Sequence, residues 1–187
     1  MANDGPAAPG APDPSELRRL LDRQAILDCL HRYARGVDRG DEALLRSAYH
    51  EDAQEDHGAY IGGVDGLVEF LAAAHRSFEA YQRYVTNTTI ELDGDVAHVE
   101  SYYLCVLRRD GDGDGEGSGL LTNGGRYVDR FERRAGEWRI ARRVVVMEWE
   151  GTVDGGAPRF PFTVPARRDH DDVSYQRPLE VDLDRRS

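Results

Sequence analysis

Cysteine is scarce in this chain, and no long apolar segment is present. Cys29 and Cys105 are the only two cysteines among 187 residues, which argues against a disulfide framework and against a cysteine zinc site. No apolar run approaches the roughly 20 residues that a helix needs to cross a bilayer. The N-terminus lacks the basic and apolar regions of a signal peptide. We therefore expect a cytoplasmic protein with no membrane partner and with two buried cysteines.

Positive charge is also in short supply. The 24 basic residues, all of them arginine, are outnumbered by 35 acidic ones, so the net charge is −11 and the pI is near 5.0. Such a chain repels a nucleic-acid backbone unless its basic residues form one concentrated face. Nucleic acid is therefore not an expected partner. With 40% hydrophobic and 32% charged residues, the composition is typical of one globular domain with tails.

The first part of the chain predicts an arm followed by a helix. Residues 1–12 are rich in Ala, Pro and Gly without periodicity, which is typical of a disordered arm. The run Asp13-Pro14-Ser15-Glu16 is typical of a helix start, because Asp caps a helix and Pro fits its first turn. We expect this helix to reach about Val37, and its buried face at three-and-four spacing is formed by Leu17, Leu20, Leu27, Leu30, Ala34 and Val37.

The rest of the domain changes from helical to strand periodicity. Turns at Asp93-Gly94-Asp95 and Ala135-Gly136 predict two long hairpins. A chain with helices first and antiparallel strands last has an α+β pattern. We expect three N-terminal helices to cover a curved antiparallel sheet and to leave a cone with an internal pocket. The expected helices after the first cover 42–49 and 67–81, and the expected strands cover 53–60, 84–92, 96–109, 120–133 and 138–149.

The domain is expected over residues 13–150, and a C-terminal extension over 151–187. The extension is rich in Pro, Arg and Asp. Its few apolar residues could lie over the pocket mouth or on a partner surface, and they are Phe160, Phe162, Val164 and Tyr175.

One phenol and one carboxylate stand where the first helix ends. In the segment Tyr33-Ala-Arg-Gly-Val-Asp38, the acid follows directly on the predicted buried face. A carboxylate carried into an apolar interior loses solvation, so its pKa rises toward the range useful for proton transfer. The alternative is that Asp38 caps the next helix, which begins near Asp41, and that Tyr33 is ordinary core.

Strand alternation groups candidate pocket residues into sets, because alternate residues share one face. Each set mixes polar and apolar side chains, whereas a pure core would be apolar throughout. The mixture favours a lined cavity, although for any one strand the polar face could also point outward. The sets are Ala53, Glu55 and His57; Glu100, Tyr102 and Leu104; Gly125, Tyr127 and Asp129; and Arg143, Val145 and Met147.

Metal and nucleotide patterns fail on spacing. The segment Asp110–Glu116 resembles the opening of a calcium loop, but its twelfth position is Leu121 instead of a bidentate Glu. His50-Glu51-Asp52 and His170-Asp171-Asp172 lack the helical pairing that places two ligands on one face. No Gly-rich loop precedes a helix, and no Ser stands in a nucleophile elbow. We expect neither a metal nor a cofactor.

Several short motifs together resemble the SnoaL-like branch of the NTF2-like superfamily over about residues 15–150. The resemblance implies a cone-shaped α+β barrel, a homodimer formed through the outer face of the sheet, and cofactor-independent chemistry on a small hydrophobic molecule. Members include dehydrochlorinases, dehydratases and polyketide cyclases, and others are binding or assembly modules. The motifs are Tyr33–Asp38, Ala48–Ala53, Asp56–Gly58, Thr86–Asn87, Leu92–Ala97, Gly124–Arg133 and Gly136–Ile140.

The resemblance also implies roles for single residues. Asp38 matches the family's catalytic Asp, which pairs with a His in its dehydrochlorinase and dehydratase members, Tyr33 matches a catalytic Tyr, and Arg143 matches a pocket Arg. The family's His falls four residues before Asn87, where this chain has Arg83. A guanidinium cannot accept a proton at physiological pH. It could hold Asp38 ionised, or bind an enolate, phenolate or carboxylate of the ligand.

Among the histidines, His57 is the candidate to supply the missing base, because it shares a strand face with Glu55, whereas His75 is expected to be packed. The predicted function is a lyase or isomerase of the dehydratase type acting on a hydrophobic cyclic molecule. A polyketide or terpenoid cyclase and a non-catalytic module are the alternatives. The predicted catalytic residues are Asp38, Tyr33, His57, Arg83 and Arg143, and the predicted substrate-binding residues are Tyr49, Glu55, Asn87, Glu100, Tyr102, Leu104, Tyr127, Asp129, Val145 and Met147.

Overall fold

The computed structural model describes residues 13–109, 119–154 and 167–179. The predicted arm at 1–12, the acidic loop at 110–118 and the tail residues Phe160, Phe162 and Val164 lie outside these ranges. Within them, no helix is both long enough and apolar enough to cross a membrane.

Three helices precede most of the sheet: α1 (Pro14–Arg39), α2 (Glu42–Arg46) and α3 (Val64–Ala74). Helix α1 begins as the sequence predicts, because the Asp13 carboxylate accepts a hydrogen bond from the Ser15 backbone N–H at 3.0 Å. It ends at Gly40, whose φ of 64° is left-handed and suits glycine. Helix α3 is shorter than predicted, since the chain passes through a 3-10 turn and enters a strand before Tyr81.

The strands are β1 (Tyr49–Asp56), β2 (Ile61–Gly63), β3 (Ala80–Asp93), β4 (Val96–Arg109), β5 (Gly119–Arg134) and β6 (Glu137–Asp154). They form one six-stranded sheet in the order β2-β1-β6-β5-β4-β3. All neighbouring pairs are antiparallel except β1 and β6, which run parallel. Register shifts in the β3–β4 and β5–β6 pairs bend these long strands. The expected α+β fold with a curved sheet is confirmed, but the sheet is mixed and not purely antiparallel.

The hairpin between β5 and β6 has a two-residue turn at the predicted place. Arg134 pairs with Glu137, and the two residues between them both have positive φ, 51° at Ala135 and 86° at Gly136. This is the backbone of a type I′ turn, whose twist matches that of the strands it joins. The turn therefore aligns β5 and β6, which carry two of the interior charges described below.

The core lies between the helices and the inner face of the sheet. The buried face of α1 begins at Asp22. The Asp22 carboxylate accepts hydrogen bonds from Trp138 Nε1 and from Arg133, both at 2.9 Å, at the hairpin end of the sheet. The prediction that Leu17 and Leu20 are buried is wrong: they are 46% and 64% exposed. Both precede the point where the sheet begins to cover the helix. Fully enclosed core residues include Ile26, Leu30, Leu67, Val99, Phe131 and Ile140.

Replacing Phe131 by Ala tests this placement of the core. Phe131 is 0% exposed, so truncation should lower the free energy of unfolding by about 3–5 kcal/mol. The matched control is Leu20→Ala on the uncovered part of α1, which should change it by less than about 0.5 kcal/mol. Urea unfolding followed by circular dichroism measures both variants. Equal losses in the two variants would contradict the assignment of the core.

Candidate functional site

Polar and aromatic side chains occupy the inner face of the sheet and the facing side of α1. They come from every long element, so the interior is not a purely apolar core. The predicted strand over 53–60 is wrong in its bounds, because β1 ends at Asp56 and His57 follows it. The residues that meet in the interior are Tyr33 and Asp38 from α1, Tyr49 and Glu55 from β1, His57 directly after β1, Tyr81 and Arg83 from β3, Ser101, Tyr103 and Cys105 from β4, Tyr127 and Asp129 from β5, and Arg143 from β6.

Asp38 lies in the last turn of α1, and its side chain is only 14% exposed. Its Oδ2 atom accepts a hydrogen bond from the Arg83 backbone N–H at 2.9 Å, and its Oδ1 atom lies 3.5 Å from Arg83 Nη1. The next helix is capped by Asp41, which accepts from the Leu44 N–H at 2.9 Å, so the capping alternative for Asp38 is wrong. Burial raises the pKa of Asp38, and the charge of Arg83 offsets this only in part.

Arg83 projects into the interior with unused hydrogen-bond donors. Its side chain is 7% exposed, and its Nε and Nη1 atoms have no hydrogen-bond partner among the described residues. Its Nη2 atom lies 3.8 Å from the Cys105 Sγ atom, a weak contact. In the described chain the hydroxyls of Tyr33 and Tyr81 and the Oδ1 atom of Asp38 are likewise buried without a hydrogen bond. Because buried polar atoms are normally satisfied, this part of the interior is suited to a polar ligand.

Arg143 is a contrast, because each of its nitrogens has a partner. Nε and Nη2 donate to the two carboxylate oxygens of Asp129 at 2.7 Å each, and Nη1 lies 3.4 Å from the Tyr49 hydroxyl. Both side chains of the ion pair are 0% exposed. The guanidinium lies over the rings of Tyr33 and Tyr127 at 4.2 and 4.3 Å. Arg143 thus orders the aromatic side chains around it.

A second acid–base group is built on β1. The Tyr49 hydroxyl donates to Glu55 Oε2 at 2.5 Å, and His57 Nδ1 lies 2.5 Å from Glu55 Oε1. Burial tends to raise the pKa of Glu55, but the hydrogen bonds from His57 and Tyr49 and the charge of Arg143 hold it below its ordinary value. An ionised carboxylate only accepts hydrogen bonds, so Nδ1 carries the proton. The His57 ring packs edge-on to Phe70, and among the described residues its side chain hydrogen-bonds to Glu55.

The predicted face of β4 is wrong. Glu100, Tyr102 and Leu104 lie on the outer face of the sheet, because the alternate residues Ser101, Tyr103 and Cys105 are buried inside. The apolar residues Ala97, Val99 and Leu107 lie on this same buried face of β4. Their alternation in the sequence could have identified the inner face. These six buried side chains define the inner face of β4.

Three further predicted substrate-binding residues stand away from the interior centre. Asn87 is exposed, because it falls in the irregularity of β3 between Val85 and Thr88. Val145, opposite Tyr127, is half-buried. Met147 is on the same strand nearer its end and is 57% exposed.

The described part of the C-terminal extension packs beside Asp38. Arg168 donates to the backbone oxygens of Asp38 and His75 at 3.3 and 3.4 Å, and its guanidinium lies 4.2 Å from the centre of the Tyr81 ring. The Tyr175 hydroxyl donates to Asp41 Oδ2 at 2.9 Å. His75 is buried, as expected, and burial together with the charges of Arg83 and Arg168 lowers its pKa to about 3. His75 is therefore neutral at physiological pH.

A cleft of about 530 Å³ between α1 and β3 reaches both Asp38 and Arg83. His31, Arg35 and Arg39 also line it, so its three arginines outnumber its one carboxylate, Asp38, in a chain with a net charge of −11. No cluster of three potential metal ligands occurs within residues 13–109, 119–154 and 167–179. The site therefore offers acid–base groups and cationic hydrogen-bond donors.

Comparison with known proteins agrees with this architecture. Terrestric acid biosynthesis cluster protein E of Penicillium crustosum is 29% identical over 147 residues, which cover 76% of this chain and 93% of that protein. The structure of hexachlorocyclohexane dehydrochlorinase LinA-type3 from Novosphingobium barchaimii LL02 matches with a TM-score of 0.67 at 24% identity, covering 78% of this chain and 99% of the other. The Kfla4162 protein from Kribbella flavida matches with a TM-score of 0.65 at 18% identity, covering 71% and 95%.

The family assignment rests on a sequence model and not on the fold alone. The model of the SnoaL-like domain matches residues 18–144, which include all three helices and most of the sheet. Because this match spans more than half of the 187 residues, the chain belongs to the SnoaL-like domain family.

Proposed function

We propose that this protein is a cofactor-independent lyase or isomerase, of the dehydratase type, that acts on a hydrophobic cyclic small molecule. The observation that carries this proposal is the pairing of Asp38 with Arg83 in the interior. One group is a buried carboxylate with a raised pKa, and the other is a buried cation with unused N–H donors. Such a pair is suited to removing a proton from carbon and to stabilising the negative charge that results.

Asp38 acts as the general base. It accepts a proton from a carbon next to a carbonyl group, and the electron pair of the broken C–H bond passes to the carbonyl oxygen. One unused Arg83 N–H group and the Tyr33 hydroxyl donate hydrogen bonds to that oxygen. These donors are already fixed in a site with little water, so they need no reorganisation during the reaction.

In an elimination, the enolate then re-forms its carbonyl group and a hydroxyl leaves from the neighbouring carbon. His57 acts in this step as the doubly protonated ring, with its Nδ1–H donating to Glu55, which Tyr49 also holds. The leaving oxygen takes the Nε2 proton and departs as water. Afterwards His57 regains a proton from solvent and Asp38 releases the proton that it took from carbon. Arg143 contacts Asp129 and the tyrosine rings, so its role is to position Tyr33 and Tyr49. It does not contact the substrate.

A cyclisation is the second candidate function. The fungal relative belongs by name to a biosynthesis cluster, and proton removal by Asp38 followed by attack of the enolate carbon on a second carbonyl would close a ring at the same site. The two reactions differ in the mass of the product, because elimination loses one water and an isomerising cyclisation loses nothing. The dehydrochlorinase in the structural comparison supports elimination as the first candidate.

Replacing Asp38 by Asn removes the base and keeps the shape of the side chain. We expect solvent deuterium incorporation into reactive cyclic ketones, and turnover of any hydroxylated ketone from which the wild type removes water, to fall by about 10²–10⁴-fold. NMR and mass spectrometry measure the two rates. The control is Asp28→Asn on the exposed side of the same helix, which should keep wild-type rates. An active Asp38→Asn variant would rule out this mechanism.

The pH dependence of kcat/KM provides a separate test. Asp38 must be ionised to act as a base, and its pKa is raised above the ordinary value of 3.8. Activity should therefore increase with pH through a midpoint above 3.8. In Arg83→Gln the lost positive charge should move this midpoint still higher, whereas Arg19→Gln on the exposed part of α1 should not move it. A lower midpoint in Arg83→Gln would contradict the electrostatic argument.

We also propose that two copies pair through the outer face of the sheet. Tyr84 pairs with Leu104, Leu104 with Gly124, and Gly124 with Trp149, so these residues form a continuous row across β3, β4, β5 and β6. Tyr84, Leu104 and Trp149 are exposed. An exposed apolar patch of this kind is typical of a protein–protein interface, and it agrees with the homodimer implied by the family resemblance.

The variant Leu104→Arg tests the dimer. A charge in the centre of the apolar row should weaken self-association by about tenfold or more, as measured by sedimentation equilibrium over a range of concentrations. Leu20→Arg, at a more exposed leucine on α1, should leave association unchanged. The dimer proposal fails when the wild type sediments as a monomer at micromolar concentration, or when Leu104→Arg associates as tightly as wild type.

A further inference from the structure

Two arginines are buried in the interior, and they differ in how their charge is satisfied. Arg143 forms a bidentate ion pair with Asp129 at 2.7 Å. Arg83 has one carboxylate within ion-pair distance, Asp38 at 3.5 Å, and that carboxylate accepts its hydrogen bond from the Arg83 backbone. A buried charge without good hydrogen bonds is costly. The folded chain therefore keeps Arg83 in an arrangement that a ligand could improve.

The neighbours of Arg83 add more positive charge than negative charge. Arg168 lies over Tyr81 and donates to the backbone of Asp38, and Arg35 and Arg39 line the cleft that leads to the site. Asp172 contacts Arg39 at 3.6 Å and compensates part of this charge. His75, which faces the same region, is buried and neutral. A neutral ligand would leave the excess positive charge unmatched.

The unused polar atoms are also of the kind that binds an oxygen anion. Arg83 Nε and Nη1 are N–H donors, and the hydroxyls of Tyr33 and Tyr81 can donate as well; none of these atoms has a hydrogen-bond partner in the described part of the chain. Charge-assisted hydrogen bonds from a guanidinium to a planar oxyanion are among the strongest in proteins. The Arg83 guanidinium lies 5.8 Å from the centre of the Tyr33 ring, and Tyr33 contacts Tyr127, which stacks on Tyr103. This aromatic cluster beside the donors suits a cyclic apolar body attached to the anion.

We propose that the apolar ring of the substrate carries an organic oxyanion, a carboxylate or an ionised enol, in addition to the carbonyl group next to which Asp38 removes a proton, and that this oxyanion binds the remaining unused N–H donors of Arg83. This inference rests on the proposed function, because it assigns the substrate class of the same site. It also gives the replacement of histidine by Arg83 a chemical reason, since a guanidinium keeps its charge at every physiological pH. Asp38 then lies beside the bound anion, and its approach to the ring is set by that contact.

Binding of simple probes tests the inference without any need for turnover. The carboxylate probe is 1-naphthoate, compared with neutral 1-naphthamide. The enolate probe is the anion of 5,5-dimethylcyclohexane-1,3-dione, compared with its neutral enol methyl ether. Isothermal titration calorimetry at neutral pH should show that at least one anion binds about tenfold or more tightly than its neutral counterpart, and the successful pair identifies the kind of oxyanion.

Variants test whether the preference for the anionic probe depends on Arg83. Arg83→Gln should remove it, and Arg19→Gln, an exposed arginine on α1, should preserve it. Asp38→Asn removes the competing negative charge and should tighten anion binding severalfold; this readout remains decisive when Arg83→Gln does not fold. Equal binding of both anions and their neutral counterparts overturns the inference, and so does an anion preference that survives in folded Arg83→Gln.

The same Asp38→Asn variant separates this inference from the proposed function. Loss of turnover with tighter anion binding supports both. Full turnover with tighter anion binding overturns the assignment of Asp38 as the base and leaves the oxyanion site standing. Loss of turnover with no preference for either anion overturns the oxyanion site and leaves the base standing.

Discussion

The buried ion pair between Arg143 and Asp129 is the interaction on which the interior depends. It joins two adjacent strands, and the guanidinium also contacts the rings of Tyr33 and Tyr127 and the hydroxyl of Tyr49. Loss of one partner from a buried pair leaves an uncompensated charge, which typically costs about 3–5 kcal/mol. Because Tyr49 in turn holds Glu55, this pair orders both the aromatic wall and the His57 side of the site.

The side chains of Arg143 and Asp129 hydrogen-bond to one another. The proposed chemistry therefore depends on Asp38 and Arg83, whose side chains have fewer hydrogen bonds within the protein. Asp38 and Arg83 approach one another without a short side-chain hydrogen bond, and each keeps at least one buried polar atom without a partner among the described residues. The site thus combines a rigid ion pair with a second pair that is poised for a ligand. The proposed acid–base chemistry therefore rests on Asp38 and Arg83 and not on the Arg143–Asp129 pair.

The sequence was sufficient for most of the fold, because periodicity and turn residues are local signals. β4 has the predicted bounds, the hairpin turn at Ala135-Gly136 is in place, and Tyr33 and Glu55 are buried. The face of β4 was assigned wrongly because both of its faces carry apolar side chains, Tyr103 inside and Leu104 outside. Alternation alone does not distinguish a core face from an apolar outer face.

The pairing of Arg143 with Asp129 could not be predicted from the sequence, for a different physical reason. Counting outward from the turn between β5 and β6, Arg134 pairs with Glu137 and Phe131 with Ile140, so an uninterrupted ladder would place Arg142 opposite Asp129. A bulge next to Phe131 adds one residue to β6 and brings Arg143 there instead. A one-residue slip exchanges the two faces of a strand, and the sequence contains no local signal that marks the bulge.

The parallel contact between β1 and β6 has a consequence for how the molecule assembles. In that contact Tyr49 lies beside Ile140, so residues 91 positions apart in sequence are paired. By contrast, β3, β4, β5 and β6 follow one another directly along the chain. Long-range pairing carries a larger loop-closure entropy than hairpin formation. We expect the four-stranded meander to form early and β1 to dock late, so Arg143 reaches Tyr49 on the Glu55 side of the site only when the chain has closed on itself.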